Sequence, residues 1–146
     1  MIGFSRSAIM ANGGWYGTQE EWVRLEAPLL ELDPVIAAFA DEHSLALSKN
    51  HKDWPERSIR WGANPSCLIQ LYLADSNLVL WHLWLCCAED RGSERFWRQD
   101  RLVDGQQMPD FGPHIRNLLD EGRRRLERWR AAPEELEFAT RISAVP

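Results

Sequence analysis

Apolar and polar positions are most tightly organised between Cys67 and Glu89, CLIQLYLADSNLVLWHLWLCCAE, where two apolar runs flank Asp75-Ser76-Asn77. Branched and aromatic residues crowd both runs, as in buried or half-buried strands. Asp, Ser and Asn suit the turn between them. The pattern predicts a β-hairpin at the centre of an antiparallel sheet. Two-residue periodicity separates its faces. Cys67, Ile69, Leu71, Leu73, Val79, Trp81, Leu83, Leu85 and Cys87 form an apolar odd-numbered face, the expected core. Leu68, Gln70, Tyr72, Leu80, His82, Trp84 and Cys86 form the other, a mixture of aromatic and polar side chains. That mixed face is expected to be partly exposed, covered by another chain, or the wall of a pocket.

Residues 1–17 read as an N-terminal arm or irregular strand, and 18–146 as a single α+β domain. Thr18-Gln19-Glu20-Glu21 is a capping box, followed by Trp22, Leu25, Leu29 and Leu32 at helical spacing. Pro28 is expected to kink or split this helix, and Asp33-Pro34 to cap and open a second one through Val35, Ile36, Phe39 and Ala40. Leu45 and Leu47, then Ile59 and Trp61, suggest short strands around a polar loop from Asn50 to Pro55. Glu89 to Gln106 reads as a surface segment or edge strand. From Pro113, the positions Ile115, Leu118, Leu119, Gly122, Leu126 and Trp129 predict an amphipathic helix stopped by Ala131-Ala132-Pro133. Leu136, Phe138 and Ile142 suit a last strand or extended arm. The expected fold is an antiparallel sheet of about four to five strands, with two N-terminal helical segments and a long C-terminal helix packed on one face.

The 146 residues suffice for one core without disulfides or metal. Eight Trp against two Tyr is the unusual feature, and Trp serves cores, pockets and interfaces alike. The net charge is -5, yet residues 91–130 hold ten basic and seven acidic side chains. An acidic chain without a helix-turn-helix or an aromatic RNA-binding strand motif implies no specific nucleic-acid partner. The run from Leu78 to Ala88 is too short to span a bilayer as a helix, and the first residues lack the pattern of a secretory signal. Three cysteines, an odd number, favour a reducing compartment. A cytoplasmic protein without membrane attachment is expected.

His43, His51, His82 and His114 are widely spaced, and Cys86 and Cys87 point to opposite sheet faces. Neither arrangement supplies a ligand set, so no metal, cofactor or catalytic residue is assigned. His82 shares the mixed face with Gln70, Tyr72 and Trp84. There it is either a structural, hydrogen-bonded histidine or, in a pocket, a base or anion ligand. His51 lies beside Asp53 and Trp54 in a polar loop, a common location for binding residues. Arg124 and Arg128 lie on the basic side of the last helix, where they could meet an acidic partner but also complement the helix dipole. Arg57, Arg60 and Arg101 gain interest only if folding gathers them beside His82, as do the carboxylates Asp53, Glu89 and Asp100. The leading expectation is a non-enzymatic protein-interaction domain (adaptor, chaperone-like or inhibitor) that self-associates as a homodimer. Its interface candidates are Leu68, Gln70, Tyr72, His82 and Trp84, with His51, Trp54, Arg124 and Arg128 as further ones. The alternative is a small-ligand-binding domain or an enzyme with its pocket around His82.

Overall fold

The computed structural model describes residues 17–51, 54–74, 80–108 and 111–142. Helix α1, Gln19–Glu42, is followed by β1 (Ala46–His51), β2 (Trp54–Trp61), β3 (Ser66–Ala74), β4 (Leu80–Arg91) and β5 (Glu94–Gln106). Helix α2, Phe111–Arg130, a short 3-10 turn and β6, Glu137–Arg141, complete the chain order. The fold is α+β: the six strands form one antiparallel sheet whose spatial order is the chain order. This exceeds the four to five strands expected. Trp54 and Pro55 belong to β2 rather than to a polar loop, and the polar stretch after Glu89 becomes a thirteen-residue strand. Cross-strand pairing satisfies its backbone whether or not its side chains are apolar.

A single helix also replaces the two N-terminal segments expected. The capping box forms as read, with Thr18 and Glu21 bonding each other's backbone amides. Pro28 and Pro34 nevertheless lie inside one continuous helix. Each proline removes one backbone donor. Leu25, Leu29, Leu32, Ile36 and Phe39, buried on both sides of the interruptions, hold a common face on the sheet. Asp33 is therefore no cap. Its carboxylate receives Arg57 Nε at 2.6 Å and Nη2 at 3.0 Å, a two-pronged pair between α1 and β2.

Both helices contribute to one core with the odd-numbered face of β3 and β4, where Ile69, Leu71, Leu83 and Leu85 are fully buried. Trp81 stacks on Phe111 with centroids 4.1 Å apart, fixing the start of α2 against the sheet. Farther along α2, a Cβ at Gly122 would stand 2.9 Å from Leu85 Cδ2, so any larger residue would have to push the Leu85 side chain aside. Val79, Asp53, the arm before Gly17 and the turn at 75–77 lie outside the described residues, but Ala74 pairs with Leu80 across that turn as the hairpin requires. No described helix is long and apolar enough to cross a membrane.

Candidate functional site

With the helices on the odd-numbered side, the even-numbered face of β2, β3 and β4 is the opposite surface. The register lays its side chains in rows across four strands. One row runs Glu56, Tyr72, His82, Asp104, and the next runs Ser58, Gln70, Trp84, Arg101. A third runs Arg60, Leu68, Cys86, Gln99. Register shifts after Trp81 and Leu83 change which β5 residues share this face: Asp104 lies opposite His82, but Arg101, not an even-numbered residue, lies opposite Trp84. The irregularity brings Arg101 onto the indole of Trp84, 4.0 Å from its centroid.

The aromatic groups interlock. Tyr72 and His82 stack nearly parallel at 4.9 Å, and Trp54 meets Tyr72 edge to face at 6.5 Å. Trp54 Nε1 donates to the Leu73 carbonyl at 2.9 Å, which fixes the indole in place. Behind them is a buried polar group. Glu56, only 7% exposed, accepts from Ser58 Oγ at 3.3 Å and from the side-chain amide of Gln70. Three adjoining hollows of about 360, 420 and 450 Å³ open on this face, and Trp84 lines all three.

His82 is 15% exposed, and its Nδ1 stands 3.8 Å from Asp104 Oδ1, beyond hydrogen-bonding range. Burial pushes its pKa below the ordinary 6.5; the negative charge of Asp104 opposes this and the positive charge of Arg101 adds to it. Arg101 Nη1 is 2.6 Å from Asp104 and holds that carboxylate in an ion pair. His82 Nδ1 and Trp84 Nε1 are both buried without a hydrogen-bond partner. Gly105, at φ 67°, passes over the imidazole, where a Cβ would be 3.4 Å from His82 Cε1. Cys86 lies four residues farther along the same strand, roughly 13 Å away at the usual rise, too far for a thiolate–imidazole pair. Burial raises its thiol pKa, against a hydrogen bond from Gln99 that lowers it. The arrangement sets aromatic contact area beside polar groups. It does not bring His82 to a nucleophile among the described residues.

The structure thus gathers Leu68, Gln70, Tyr72, His82, Trp84 and Trp54 on one face. His51 closes β1 and pairs with Trp54 through the backbone. Arg124 and Arg128 are exposed on α2, the helix packed on the other side of the sheet, and do not join the face. Of the three arginines in question, only Arg101 reaches the surroundings of His82. Arg57 is in the core beneath α1, and Arg60 is in the third row. The carboxylate near the imidazole is Asp104, not Glu89 or Asp100. Glu56 and Ser58 join this face as well: Glu56 falls between the expected loop and the expected strand, and Ser58 lies in that strand, whose pairing with the hairpin is not legible in the sequence. Their signal was the alternation Trp54, Glu56, Ser58, Arg60 once the strand is extended back to Trp54. Comparison of the chain with protein-family models, curated proteins and solved structures found no match.

Proposed function

We propose that the protein is a binding domain that uses the even-numbered sheet face to hold a segment of a protein partner. The observation that carries this reading is the set of open hollows that share Trp84 as a wall, flanked by two buried ring nitrogens, His82 Nδ1 and Trp84 Nε1, without hydrogen-bond partners. A buried polar group left unpaired costs roughly 1–3 kcal/mol, and a hydrogen bond to an incoming segment, made once the side chains over it move aside, would relieve it. Four strands at normal spacing make the face about 15 Å wide, and its hollows open outward. Such a surface favours an extended partner over a small ligand, which normally loses most of its surface in an enclosed site. Tyr and Trp anchors surrounded by polar side chains are the composition of an interface centre.

The test is site-specific photo-crosslinking in the cells that make the protein, with p-benzoylphenylalanine placed at Leu68 or Trp97 and, as a control, at exposed Leu30 on α1. Crosslinks to one other protein from positions 68 and 97 but not 30, with purified components binding unless Trp84→Ala is present, are expected. Crosslinks only to a second copy would replace the reading with a homodimer. Equal crosslinking from all positions, or none, would overturn it.

A further inference from the structure

The hollow lined by Trp54, Glu56, Gln70, Tyr72, Ala74 and Trp84 has a chemistry of its own, about 360 Å³ bounded by three aromatic side chains and one carboxylate. The carboxylates elsewhere on this face have guanidinium partners. Asp90 holds Arg95 at 2.7 and 3.2 Å, and Asp104 holds Arg101 at 2.6 Å. Glu56 is more deeply buried than either, yet among the described residues its side chain is met only by two neutral donors, Ser58 and Gln70. Arg57, the next residue in the chain, faces the other side of the sheet and is committed to Asp33. A carboxylate removed from water without a cation is an unfavourable arrangement, and a cation brought beside it is correspondingly favoured. Each Glu56 oxygen already accepts one hydrogen bond and keeps a further acceptor direction free. Aromatic faces attract cations through the ring quadrupole, and a set of them around a compact ammonium is a recurrent recognition device.

We propose that Trp54, Tyr72, Trp84 and Glu56 form a cation pocket that receives the ammonium group of a lysine side chain from the partner. The inference rests on the docking role of this face and specifies what one end of it selects. Arg101 already lies against the Trp84 indole from the β5 side, so this ring is in use as a cation surface within the fold. The lysine stem would lie along Tyr72 and Ala74 while its head meets Glu56. Ser58 and Gln70 act as positioning residues that hold the carboxylate toward the hollow.

The probe is n-butylammonium, with 1-butanol as a neutral match, titrated at neutral pH into the full chain while indole N–H signals are followed by NMR. Saturable shifts of Trp54 and Trp84, with Trp129 in the core unmoved, are expected. Butanol should bind at least about tenfold weaker, the order of a cation–π and charge-pair contribution. Glu56→Gln should abolish the difference between the two probes. Should that variant unfold, Trp84→Leu, which retains the carboxylate, is expected to weaken ammonium binding about tenfold. Equal binding of amine and alcohol, or ammonium binding unchanged in Glu56→Gln, would overturn the cation pocket. If that occurs while positions 68 and 97 still crosslink to a protein, the docking reading survives without it; if the crosslinks also fail, both are wrong.

Discussion

At the scale of single residues, the decisive feature is which polar side chains are left without their usual complement. Arg57, 1% exposed, is fully provided for by Asp33, Asn50 Oδ1 at 2.8 Å and the Glu56 carbonyl at 2.9 Å. His82 is not. Burial disfavours its charged form, so its pKa lies below 6.5. At a pH between that lowered value and 6.5, the unfolded chain binds more protons at this position than the folded one. This share of stability is complete above pH 6.5 and is lost as pH falls through 6.5 toward the folded value. An NMR titration of the ring should give a midpoint below 6.5, and His82→Gln should flatten the corresponding part of the stability–pH curve. A midpoint above 6.5 would mean that Asp104 outweighs burial.

Among the elements, α1 is held to the sheet by more than its apolar face. Asn50, at φ 56° in the irregular end of β1, reaches Glu26 of α1 with its amide nitrogen and Arg57 with its oxygen. Asp33 then joins α1 to β2. Its pKa is shifted by burial, which raises it, and by the hydrogen bonds and charges of Arg57 and Lys49, which together prevail and hold it below 3.8. Arg57→Met is expected to cost about 3 kcal/mol in urea unfolding, the low end for breaking a buried pair, because Asp33 can regain some water. The sign of the pH dependence follows. Wild type should lose the Asp33 contribution as pH falls from 3.8 through the lowered folded value, and the variant should not. A loss under about 1 kcal/mol would show that the pair merely offsets its own desolvation.

Over the whole molecule, the arginine-rich helix α2 and the mixed aromatic face lie on opposite sides of the sheet. Three of the six arginines of α2 are neutralised locally. Arg125 pairs with Asp100 and Glu121, Arg124 with Glu121, and Arg116 with Glu42 and Asp120. Arg123, Arg128 and Arg130 have no ion pair among the described residues, but the chain as a whole is acidic, with a net charge of -5. No binding of duplex DNA is expected in fluorescence anisotropy at about 0.15 M salt, and any association at low salt should vanish steeply as salt rises. Sequence-independent binding that persists at that salt would show that these arginines exchange their carboxylates for phosphates.

The alternation from Cys67 to Glu89 was enough to establish the central hairpin, its odd-numbered core and the mixed character of its other face. A strand's side-chain period is local and survives any arrangement of its neighbours. The capping box at Thr18 and the apolar stripe of α2 were legible for the same reason. Strand pairing is not local. Only the tertiary structure extended β2 back to Trp54, placing Glu56 beside Tyr72 and the partners of Arg57 on the far side of the sheet. Only the register shifts in β4 and β5 set Arg101 against Trp84 and Asp104 beside His82. The continuity of α1 through Pro28 and Pro34 was likewise decided by burial against the sheet, a gain spread over several side chains that outweighs the two backbone donors the prolines lack.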